Sequence, residues 1–132
     1  SNLNNSNLTG VNLQGAHLFS ASMADCNLES ANLSGVDLQG ADLSGSYLPG
    51  ANLSGSDLSN ADFTGATLRD ADLSNAILSG ANFSNANLNG AIILQSTATN
   101  KEVISLENVA RGIYFVIIKS NDSTHTMKVV KK

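Results

Sequence analysis

The chain has no tryptophan, a single proline and only 5% aromatic residues, so a core of large interlocking side chains is not available to it. Its one cysteine, Cys26, excludes an internal disulfide and a thiolate metal cluster. Two histidines, His17 and His125, leave little material for a nucleophile, a base and an orienting group in one pocket. Long hydrophobic runs are missing too. No stretch approaches the ~18 apolar residues of a membrane-spanning helix, so no membrane span is expected. The chain opens in mid-repeat without a signal peptide, which leaves room for a removed upstream segment. Charged residues reach only 14%, and they are unevenly placed. Residues 1–95 hold eight acids and one base, about −7, whereas residues 96–132 hold three acids and six bases, about +3. An acidic body with a basic tail bears on partners, not on fold.

What is present falls on a grid. Read in fives from Ser1, the chain gives nineteen consecutive units ending at Gln95, without an insertion. The third position is Leu fifteen times and otherwise Met23, Phe63, Phe83 or Ile93. The first is Ala twelve times, the second Asn or Asp thirteen times, and the fifth Gly ten times and Asn four. On an α-helix a five-residue step advances ~500° and would smear the leucines around every side. In an unbroken strand an odd spacing would send them to alternate faces. The period becomes useful only if the chain turns a corner once per unit. Positions one and three then point inward, position two points out, and positions four and five make the corner. Gly and Asn tolerate the positive φ that a type II turn needs, and Pro49 presets the residue before it. Ser20, Asp25, Ser30 and Asp70 stand where Gly or Asn is usual, so a departure from that turn is expected there.

Four corners close a square coil of twenty residues, and nineteen units make about 4.75 coils. Stacked at the ~4.8 Å of strand pairing, they form a rod ~23 Å long. Each coil buries its core only against its neighbours. The expected core residues are Leu33, Leu43, Leu48, Leu53, Leu58, Phe63, Leu73 and Phe83, with Met23, Leu43, Phe63 and Phe83 in one column. Units such as "ANLSG" (31–35 and 51–55), "ADLSG" (41–45) and "ADLSN" (71–75) resemble the Ala-(Asn/Asp)-Leu-x-x motif of the pentapeptide-repeat family. That resemblance covers residues 1–95 and implies an all-β fold, a right-handed quadrilateral β-helix. Handedness comes from the resemblance alone.

Residues 96–132 follow another pattern and are expected to form a short antiparallel β tail. "KEVISL" (101–106), "GIYFVIIK" (112–119) and "HTMKVVKK" (125–132) are strand-like, and "SNDS" (120–123) reads as a turn. Two or three strands are marginal alone and must pack on something. The open end of the last coil offers Ile77, Ile92 and Leu94, all apolar at positions that are mostly polar, so a cap contact is expected there. The stretch from Ile104 to Lys132 is similar to the end of the C-terminal sorting domain of type IX secretion substrates. The shared features are Leu106 and Val109 ahead of Gly112-Ile113-Tyr114, then a last strand ending Val129-Val130-Lys131-Lys132. The family's Pro-rich upstream half is absent. The similarity implies contact with the secretion machinery through the tail, and export to a bacterial surface or medium.

Residues twenty apart stack in columns. Face one carries Asn2, Ser22, Asp42, Asp62 and Asn82 outward, and face four carries His17, Asp37, Asp57 and Ile77. Asp42/Asp62 and Asp37/Asp57 are thus stacked pairs on adjoining walls, with carboxylates ~5 Å apart. A cation could relieve their repulsion, which makes these four the candidate metal residues. No EF-hand or glycine-aspartate calcium loop accompanies them, so solvated carboxylates and no cofactor are expected. Cys26 reads as a small core residue, and the serines as turn-formers. The expected function is that of a non-enzymatic, exported scaffold that binds an unknown protein partner and no nucleic acid. An end-to-end or tail-mediated homodimer is compatible with it. The alternative is a DNA-mimicking topoisomerase (gyrase) inhibitor, since some proteins of the family resemble an acidic duplex.

Overall fold

A computed structural model describes residues 1–96, 112–119 and 124–131. The expected strand at 101–106 and turn at 120–123 lie outside the described residues. Each five-residue unit is a short extended rung followed by a two-residue corner. Fifteen parallel bridges join second positions twenty residues apart, from Asn2↔Ser22 to Asp72↔Ile92. They form the four walls of a right-handed quadrilateral β-helix. Face two carries Asn7, Asn27, Tyr47, Thr67 and Asn87, and face three Asn12, Asn32, Asn52, Asp72 and Ile92.

The ladder uses four of the five backbone N–H groups in a unit. In the coil of residues 31–50, Leu33 N–H donates to Asn52 O at 2.7 Å and Gly35 N–H to Ser54 O at 2.9 Å, both one coil up. Asn52 N–H returns to Ala31 O at 2.9 Å, and Val36 N–H closes the corner on Leu33 O at 3.3 Å. All eighteen corner residues from Asn5 to Gly90 have positive φ, between 50° and 79°. With the first-position N–H bonded three residues back, this is type II turn geometry. Ser20, Asp25, Ser30 and Asp70 do not depart from it: their φ values are 50°, 56°, 55° and 56°. The stacking ladder on either side over-determines the corner, so even serine is held left-handed at a cost of ~1–2 kcal/mol.

The core runs along the axis. Leu33, Leu43, Leu48, Leu53, Leu58, Phe63 and Leu73 are fully buried, and Phe83 is nearly so. Phe63 and Phe83 stack in one column with centroids 4.9 Å apart and planes 7° from parallel. Small first positions let the walls approach. Ser46 and Ser56 are also fully buried there, and their hydroxyls donate one coil down, to Met23 O at 2.8 Å and Leu33 O at 3.1 Å. Cys26 Sγ does the same to Leu3 O at 2.9 Å. Each of these carbonyls already accepts a corner N–H, so the second lone pair is used. Among the described residues no buried side-chain polar atom lacks a partner.

At Gln95 strand stands where earlier units have a corner. The chain runs straight through β1 (Ile92–Ser96) instead of cornering. β2 (Gly112–Lys119) and β3 (Thr124–Lys131) form the expected antiparallel pair, in register from Gly112↔Lys131 to Lys119↔Thr124. β2 also pairs parallel with β1, at Ile92↔Phe115 and Leu94↔Val116, with a bulge between Ile92 and Leu94. Face three is thereby extended by two strands, in the sheet order β1-β2-β3. Of the three expected cap residues, Ile92 and Leu94 lie in the strand that β2 flanks. Ile77 is 54% exposed, contrary to expectation. Its face-four ladder ends at the Asp57↔Ile77 bridge, and β2 continues only face three among the described residues.

Candidate functional site

The walls present outward columns, and the position-four N–H that the ladder leaves over decides what those columns contain. At all thirteen second positions occupied by Asn or Asp, the side-chain Oδ1 accepts that N–H from two residues on, at 2.8–3.2 Å. This is the Asx turn, in which the side chain imitates a backbone acceptor. At Thr9, Ser34, Ser44, Ser54, Thr64 and Ser84 the position-four hydroxyl donates to the same oxygen, at 2.5–2.8 Å. The second position is therefore a latch on the backbone as well as a surface group. Sequence reasoning missed it. The signal was there, in Asn or Asp spaced two residues before Ser or Thr.

The latch also explains two exceptions. Tyr47 precedes Pro49, which has no N–H to be accepted, so an aromatic costs the backbone nothing there. Ser22 precedes Ala24, whose N–H is taken from the coil below by Asn4 Oδ1 at 2.9 Å. Tyr47 is 45% exposed in the middle coil of face two, and Phe19 is 66% exposed on face four.

The four candidate carboxylates stand on adjoining rungs, Asp37↔Asp57 and Asp42↔Asp62. Each is already engaged by its own turn. Asp42 Oδ1 accepts from Ser44 N–H at 3.0 Å and its hydroxyl at 2.6 Å. Asp62 Oδ1 accepts from the Thr64 N–H at 2.9 Å, the Thr64 hydroxyl at 2.5 Å and Asn82 Nδ2 at 3.3 Å. Gln39 bridges the other pair: its N–H bonds Asp37 Oδ1 at 3.1 Å and its Nε2 bonds Asp57 Oδ2 at 2.7 Å. The Ser59 hydroxyl and amide, and then Gln39, hold the Asp57 carboxyl below its ordinary 3.8, against an opposing push from desolvation. Among the described residues no three metal-ligating side chains converge. The arrangement can offer an array of fixed amides, hydroxyls and carboxylates to a flat partner. Cys26 is buried, and His17 is an exposed second-position residue. No helix among the described residues is long and apolar enough to cross a membrane.

The family profile described as "Pentapeptide repeats" matches residues 1–35, 31–70 and 66–100. No match was found among curated proteins. Among solved structures, a pentapeptide repeat protein from the Arabidopsis thaliana thylakoid lumen is similar at 29% identity and a TM-score of 0.66, over 69% of this chain and 63% of that one. A pentapeptide repeat protein from Nostoc PCC 7120 is 32% identical, with a TM-score of 0.41, over 80% of this chain and 78% of that one. QnrB1, a plasmid-mediated fluoroquinolone resistance protein, is 17% identical, with a TM-score of 0.46, over 67% of this chain and 52% of that one. The chain thus spans less than two thirds of the length of the Arabidopsis protein.

Proposed function

Because the chain belongs to the pentapeptide-repeat family, we propose that it is a non-enzymatic scaffold whose outward columns bind a protein partner, and that its C-terminal segment directs export to a bacterial surface or medium. The observation that carries the scaffold reading is the latch. Thirteen side chains are fixed against their own backbone at the spacing of the coils, so a partner meets a surface ordered before contact. The export reading draws on the similarity of residues 104–132 to a type IX sorting segment, and on the basic balance that separates this segment from the body. Expression behind an inner-membrane leader, in a bacterium with a type IX system, tests it. The full chain is expected on the surface or in the medium, and a chain lacking residues 97–132 is expected to stay in the periplasm. Retention of the full chain inside the cell would remove the export reading and leave the scaffold.

A second reading, a DNA-mimicking topoisomerase inhibitor, draws on the eight acids against one base in residues 1–95. Two of the acidic rungs, Asp37/Asp57 and Asp42/Asp62, share one edge of the rod. In a gyrase supercoiling assay the scaffold reading expects unchanged activity. Inhibition that Asp42→Asn with Asp62→Asn weakens would favour the mimic.

A further inference from the structure

The last unit of the solenoid is built unlike the others. "AIILQ" (91–95) puts Ile92 where thirteen units carry Asn or Asp, and Leu94 where the corner would begin. β1 runs through Leu94 and Gln95, the corner positions of earlier units, to Ser96. A straight apolar strand at the end of a parallel ladder is a template for any further strand, because its outer row of N–H and C=O groups is unspent. β2 takes that row. It pairs with Ile92, Leu94, Gln95 and Ser96 in the same parallel sense that the coils use among themselves. Its step is 23 residues at Ile92↔Phe115 and 22 beyond the bulge, from Leu94↔Val116 to Ser96↔Ile118, where the coils step by 20. β3 then reverses the direction and carries Lys128 and Lys131, so the next strand outward is antiparallel and charged.

We propose that β2 is a terminator strand, which holds the edge of β1 so that a second copy of the chain cannot add a strand there. The excluded occupant is a second copy because each copy carries the complementary parallel apolar strands, β1 and β2 themselves. This role goes beyond the scaffold reading and stands whether or not the tail also directs export.

The test uses the full chain with Phe115→Pro and Val116→Pro, which removes ladder N–H groups from β2 whichever row faces β1. Mass is measured by light scattering over a concentration series, and amide exchange is followed at the rungs between residues 21 and 73. The parent is expected to keep one mass throughout. The proline variant should gain mass with concentration while its body amides stay protected. Adding Leu94→Lys, a charge on the freed edge, should return it to one mass. A parent that already associates, a proline variant of constant mass, or association indifferent to Leu94→Lys would each overturn the proposal. So would loss of protection across the body, since a terminator acts on a solenoid that stands without it.

Discussion

The inner and outer sides of each wall obey different rules. Inside, Ala51 and Leu53 are held by burial, and any apolar side chain of the right volume would serve. Outside, Asn52 is held by one directed bond to Ser54 N–H at 3.0 Å, which only an acceptor of the right reach can make. Volume is tolerant and direction is not. The third position is apolar in all nineteen units, whatever the side chain (Leu, Met, Phe, Ile), and thirteen second positions hold Asn or Asp, the two residues with an Oδ1 of that reach.

Four substitutions grade the contrast. Leu53→Ala, at the fully buried centre, should cost ~2–5 kcal/mol in urea unfolding. Gly45→Ala should come next, at ~1–2 kcal/mol, because its φ of 67° lies in the left-handed region and a methyl there would meet the Asp25 carboxylate of the coil below. Asn52→Ala frees the Ser54 N–H and should cost ~0.5–1.5 kcal/mol. Losses for Asn52→Ala as large as for Leu53→Ala would break the division between the two sides. Tyr47→Asn should leave stability unchanged, since Pro49 has no proton to give it; a clear gain would show that the latch is not what selects Asn.

A small effect is also expected on pH dependence. The folded Asp57 carboxyl titrates below its ordinary 3.8, so its contribution is complete above that value and is lost as pH falls through the lower folded one. Asp57→Asn should therefore lower stability slightly at neutral pH and converge with the parent as the carboxyl protonates, which flattens the acid limb of the unfolding curve. A stability difference between parent and variant that stays the same from neutral pH into acid would contradict the assigned bond from Ser59.

The period made the coil legible. Leu48, Leu53, Leu58 and Phe63 are spaced so that only a cornering backbone can bury them together, and all four are fully buried. The stacked pairs Asp37/Asp57 and Asp42/Asp62 followed from the same arithmetic. The latch was harder to see, because it answers a backbone N–H whose lack of a partner becomes visible only once the other four in the unit are assigned. The parallel pairing of β1 with β2 was hidden for another reason. Its offset of 22 to 23 residues belongs to no repeat, and alternating apolar residues such as Ile113 to Ile118 are compatible with either strand direction. Ile77 was misplaced because it is apolar at a second position just as Ile92 is, whereas among the described residues only the wall of Ile92 is continued.

One consequence of the square coil concerns how such a chain can change length. An insertion of twenty residues adds a storey and leaves every column in place. An insertion of five keeps each later unit sound, since a small first residue and an apolar third fit any side of the square, but it turns everything downstream by a quarter of a revolution. Inserted before Ser46, it would move Asp57 off the rung of Asp37 and onto that of Asp42, and carry Asp62 one wall further, away from both carboxylates. Architecture and surface are therefore separable properties of this chain. The fold is indifferent to rotational phase, whereas every recognition pattern written across its storeys depends on it.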